Sequence, residues 1–179
     1  MHERGRMRCV GGLRTGSGWR LVALSALAAQ LVTGCASESR EELLRAFALE
    51  LPACPTEVTS FSGTTSWPDT KLAMSLTVSK DCAEQYLKDH GVDMAKPIHW
   101  PASGPSIQGS VTLSPTDPPF QDKAMKQFDL TLDPSKRYDM FRGFTTPKEA
   151  EFLVLLVPEG ARTAVYMESG ATGKVKRNG

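Results

Sequence analysis

The stretch from Leu72 to Gly91, LAMSLTVSKDCAEQYLKDHG, constrains the fold more than any other part of the chain. Leu72, Met74, Leu76 and Val78 alternate with small or polar residues, which is the period of a half-buried strand. Ser79 stands where a helix N-cap is wanted. From Lys80 to His90 the residues Cys82, Ala83, Tyr86 and Leu87 then share one helical side. Gly91 is placed to adopt the left-handed conformation that ends a helix. Further strands are expected over Ile107–Leu113, over Phe128–Leu132 (FDLTL), and over Tyr138–Phe144, which would pair with FDLTL. Phe152–Val157 and Arg162–Glu168 flank Pro158-Glu159-Gly160-Ala161 and read as a hairpin. Five or six strands with one main helix predict an α+β domain built on a largely antiparallel sheet. A β-sandwich carrying a helical insertion is the alternative.

The start of the chain obeys a different logic. Arg4, Arg6, Arg8, Arg14 and Arg20 precede an uncharged, mostly apolar run of twelve residues, Leu21–Val32, and no acid lies between Glu3 and Glu38. A helix crossing a bilayer needs roughly 20 apolar residues, so this run is too short. A basic start, a short apolar run and small residues at its end form the signature of a secretory signal peptide. The closing residues Val32-Thr33-Gly34-Cys35 resemble the lipobox of bacterial lipoproteins, with Val32 in the place more often held by Leu. The resemblance implies cleavage between Gly34 and Cys35, and a covalent diacylglycerol on the Cys35 thiol. Two acyl chains, at about 0.8 kcal/mol per buried CH₂, hold a protein where one chain is marginal. The expected location is therefore the extracytoplasmic face of the cell membrane, with the lipid anchor as the membrane contact and no cofactor.

The leader also accounts for the apparent charge. Residues 1–34 contain five of the 21 Lys+Arg and one of the 20 Asp+Glu, which leaves 16 bases and 19 acids. The net charge moves from +1 to about −3, so nothing favours a nucleic-acid partner or a polybasic lipid patch. The expected organisation is a cleaved leader over 1–34 and a lipidated tether with a short helix over 35–50. A single globular domain over 51–168 and a flexible tail over 169–179 complete it. In the tether, Ser39 and Glu42 have capping-box spacing, and Leu43, Leu44 and Phe47 share a face.

Four cysteines sort by position. Cys9 leaves with the leader, Cys35 takes the lipid, and Cys54 and Cys82 remain as a pair in a compartment that permits oxidation. A Cys54–Cys82 disulfide is expected. A metal pair or a redox couple is the weaker alternative, because zinc would need two further ligands and no Cys-x-x-Cys is present.

Signals for catalysis are sparse. The tail GATGKV lacks the first glycine and the final hydroxyl of a phosphate-binding loop, with Glu168 and Val175 in those places. Ser106, within GPSIQG, does not sit in a nucleophile-elbow pattern. Beyond the leader the histidines are His90, at the end of the expected helix, and His99. KPIHWP (96–101), TDPPF (116–120) and SWPD (66–69) set aromatics beside prolines in polar, extended runs. Trp67, His99, Trp100 and Phe120 would line a binding patch if exposed. The alternative is that Trp67, Trp100 and Phe120 are core plugs that anchor long loops. In size, composition and layout the mature region resembles small surface lipoproteins of high-GC Gram-positive bacteria, a likeness that carries no functional residues. The leading expectation is a non-enzymatic binding or accessory domain whose partner would be an envelope protein or a small ligand. A small cell-envelope hydrolase using His99 with nearby carboxylates is the rival, and a structural subunit of an envelope complex is the third reading.

Overall fold

The computed structural model describes residues 38–66, 70–108 and 111–169. Its centre is a six-stranded antiparallel sheet made of β1 (Glu57–Thr64), β2 (Lys71–Ser79), β3 (Ile98–Trp100), β6 (Tyr138–Thr145), β7 (Glu151–Glu159) and β8 (Arg162–Ser169), in the order β1-β2-β8-β7-β6-β3. A separate two-stranded ribbon joins β4 (Ser106–Gln108) to β5 (Val111–Leu113), so the single strand expected over 107–113 is a hairpin instead.

The sheet has helices on both sides. Alternation along β2, β7 and β8 sends Leu72, Met74, Leu76, Val78, Val154, Val165 and Met167 to one face. There they meet Leu43 and Phe47 of α1 (Arg40–Phe47) and Ala83, Tyr86 and Leu87 of α2 (Lys80–Asp89). The opposite face carries Ala73 and Leu155, with Leu153, Val157 and Tyr166 at its margin. It packs against Ala124 and Phe128 of α3 (Asp122–Phe128) and against Trp100, Phe120 and Tyr138. With both faces covered, β2 is buried from Leu72 to Val78 rather than half-buried. Its polar positions survive burial because Ser75 Oγ pairs with the hydroxyls of Thr59 and Ser60, each at 2.8 Å.

Two expectations from sequence are corrected. The domain does not have one main helix: α1, α2 and α3 have eight, ten and seven residues, comparable lengths. A sheet sandwiched between helices is also not a β-sandwich with an insertion. The missed helix is α3. Its last residue, Phe128, opens the FDLTL segment that alternation marked as a strand. Asp129 then takes a left-handed C-cap (φ 49°) and donates its backbone N–H to Lys126 O at 3.3 Å. A five-residue alternation cannot compete with a buried helical side of Ala124 and Phe128 plus that cap. β6 accordingly pairs with β3 and β7, not with FDLTL.

The 72–91 unit forms as its pattern predicts. Ser79 Oγ accepts from Cys82 N at 3.4 Å, and Gly91 sits at φ 85°. Residues 38–50 belong to the packed unit. The Ser39–Glu42 capping box is complete, Leu43 and Phe47 are 2% and 1% exposed, and Leu49 is buried beside them. A Cβ on Gly63 would stand 2.6 Å from Lys71 O of the paired strand β2 and 3.3 Å from Leu43 Cδ2 of α1. Glycine is what lets β1 approach the β2 backbone this closely under α1.

Candidate functional site

Chemistry-bearing residues collect in two places. The first is a cavity of about 180 Å³ between the end of β1, the start of β2, α3 and the end of β8. Its polar lining is Ser62, Thr64, Lys71, Gln121, Lys123, Gln127 and Glu168. Register explains the convergence: Thr64 faces Lys71 and Ala73 faces Glu168 across adjacent strand pairs. Gln127 is the fixed member, since its Nε2 donates to Ala73 O at 3.1 Å and Ser62 Oγ donates to its Oε1. Glu168 is half-buried, and Oε2 accepts from Gln121 N at 3.2 Å. Burial pushes its carboxyl above the usual carboxylate range. The Gln121 N–H and the Lys71 charge pull part of the way back. A partly desolvated carboxylate in a concavity that two lysines also line is the kind of arrangement that functional sites use.

The second place is the β3–β6 edge, where His99 lies directly opposite Asp139. His99 Nδ1 donates to Asp139 Oδ1 at 2.9 Å, and the two side chains are 31% and 52% exposed. A carboxylate on Nδ1 is how a histidine base is oriented with Nε2 turned to a reacting group. This pair is partly solvated and sits on a three-residue strand at the sheet margin. Among the described residues, no cluster of three or more His, Cys, Asp and Glu side chains is placed to hold a metal ion. The other described histidine is built into the packing. His90 stacks on Phe144 with ring centres 4.2 Å apart, and its Nδ1 donates to Tyr86 O at 2.9 Å.

The remaining residues singled out from sequence fall apart in space. Cys54 and Cys82 are disulfide-bonded, with Cα atoms 6.4 Å apart. Trp100 and Phe120 are 6% and 4% exposed. Trp100 Nε1 donates to Asp117 O at 2.8 Å, and Phe120 meets Phe128 edge-on at 5.4 Å. Both are core side chains that tie down the long loops, and they offer no surface patch with His99. Gly34, Cys35 and Trp67 lie outside the described residues, as do residues 170–179. Sequence reasoning missed Glu168, Lys71, Lys123 and Gln127. Only the alternation of β8, which places Glu168 among apolar neighbours, gave a signal, and it did not reveal what would face it. Among the described residues no helix is long and apolar enough to cross a membrane. Comparison with protein-family models, curated proteins and solved structures returns no match.

Proposed function

We propose that the mature protein is an exported domain, held by a diacylglycerol on Cys35 at the extracytoplasmic face of the cell membrane, which binds a small ligand without transforming it. The location rests on the lipobox and is supported by the Cys54–Cys82 disulfide, a bond that persists in oxidising compartments. The binding role is carried by one observation, the cavity that half-buried Glu168 lines together with Lys71 and Lys123. Its size and mixed charge suit an amino-acid-sized zwitterion, with the ligand's ammonium on Glu168 and its anionic group between the lysines. Calorimetric titration of the purified lipidated protein in detergent with free amino acids and dipeptides tests this. At least one ligand should bind, and Glu168→Gln should weaken it tenfold or more. Heat signals that are absent at millimolar ligand, or unchanged by the substitution, would end the reading.

The hydrolase reading is favoured by the His99–Asp139 hydrogen bond. It requires turnover of a small ester or amide that disappears in His99→Ala and falls by orders of magnitude in Asp139→Asn. Equal turnover by parent and variants would remove it.

A further inference from the structure

The anchor and the fold meet over a very short distance. Glu38 is fixed to the far end of β1: its Oε2 accepts from Thr65 N at 2.7 Å and its Oε1 from the Thr65 hydroxyl. One residue later the α1 capping box begins, and α1 is locked by Leu43 and Phe47 in the core. Cys35 is three residues before Glu38. At 3.3–3.6 Å per extended residue, its Cα can stand no more than about 11 Å away.

That leaves a tether of only three residues, Cys35 to Ser37. The headgroup layer outside the hydrocarbon core is itself about 5–8 Å thick, so a lipid-bearing residue so close to Glu38 keeps one end of the domain at that layer. The end is defined by register. Thr64 pairs with Lys71, Ala73 with Glu168, and Phe152 with Ser169, so the end of β1, the start of β2, the end of β8 and the start of β7 lie together. Ser169 is tied there, its Oγ accepting from Leu72 N at 2.8 Å. The opposite end, with Ser79, Glu159 and Arg162 in register, is about 27 Å away along β2.

We propose that the Thr64–Lys71–Ser169 end of the sheet rests on the phospholipid headgroup layer, so that the domain has one fixed orientation and its cavity opens at headgroup level. This rests on Cys35 being lipidated. The full-length protein is expressed in a lipoprotein-processing bacterium. It is reconstituted in phosphatidylglycerol–phosphatidylethanolamine vesicles containing a headgroup-quencher lipid, with a fluorophore on Ser66→Cys or on Glu159→Cys. Intact mass reports both the diacylglyceryl group and the Cys54–Cys82 bond in each variant. Quenching should be at least threefold stronger at position 66. A ten-residue Gly/Ser spacer between Ser37 and Glu38, with an r.m.s. span of about 17–19 Å, should reduce that ratio towards one. Lipidated protein with equal quenching at both positions overturns the orientation while leaving the anchor intact. A mass without the lipid overturns the anchor and the orientation together.

Discussion

The two faces of the sheet are built by different means. The face under α1 and α2 carries the larger cluster, in which aliphatic side chains from β2, β7 and β8 surround Phe47, Tyr86, Phe141, Phe144 and Phe152; it draws its helices from segments with clear 3.6-residue periodicity and is stapled by the Cys54–Cys82 bond at the first turn of α2. The face under α3 carries a smaller cluster in which aromatics make up most of the bulk. Trp100, Phe120, Phe128, Tyr138 and Tyr166 meet there in tilted and edge-on contacts, three of them from strands, Phe120 from a proline-rich loop and Phe128 from a short helix. The first face holds the larger buried cluster and the disulfide. The second holds long loops in place, and its α3 forms one wall of the Glu168 cavity.

The strongest way to break this comparison is to empty each side in turn. Phe47→Ala removes a ring that is 1% exposed and stands 6.0 Å from Phe152. It should cost about 4 kcal/mol in denaturant unfolding. Phe120→Ala on the other face should cost nearer about 3 kcal/mol, and a larger loss from Phe120 than from Phe47 would reverse the assignment. Replacing Cys54 and Cys82 together by alanine should lower stability by about 3.5 kcal/mol in the chain-entropy account of a loop with sequence separation 28. If the melting temperature is unchanged, the staple contributes nothing to the first face.

Gly63→Ala tests the close approach of β1 to β2. The added methyl would stand 2.6 Å from Lys71 O, so about 1–3 kcal/mol should be lost. A neutral result would mean that the two strands separate there at no cost. Thr146→Val works in the other direction. The Thr146 hydroxyl is buried and has no hydrogen-bond partner among the described residues, so the isosteric apolar side chain should stabilise by about 1 kcal/mol, as read by urea midpoint.

The smallest expected effect concerns the cavity. Because burial raises the Glu168 carboxyl in the folded state, the folded protein holds that proton more tightly than the unfolded chain. Its contribution is therefore favourable at acid pH. It is lost as pH rises from the ordinary carboxylate range through the raised folded value. Glu168→Gln should accordingly be more stable than the parent at neutral pH, with the advantage fading below about pH 4. Parallel stability–pH curves for the two proteins would show that the carboxylate is solvated after all.

Legibility followed the same division. The Leu72–Gly91 unit, the capping box at Ser39 and the 152–168 hairpin were readable because each depends on neighbours in sequence, where periodicity and caps act directly. The cysteine pair was readable by elimination. α3 was not, because its seven residues carry little periodicity and the alternating FDLTL segment overlaps its end. β1 was missed because its sequence, EVTSFSGT, is polar and irregular, with a register shift between Val58 and Ser60. It forms because β2 offers it a partner. The Glu168 cavity could not be found at all, since its walls come from residues about a hundred positions apart.

By itself the sequence determined the capping box at Ser39 and the local strand–helix unit, which are encoded in contiguous residues and their chemistry, and it marked Cys54 and Cys82 as partners. Tertiary structure alone decided strand order, which face each helix covers, and that Trp100 and Phe120 are interior while Glu168 shares a cavity with Lys71. These depend on long-range register and burial, which no local pattern specifies, because a strand's alternation says which side chains share a face but not what that face will meet.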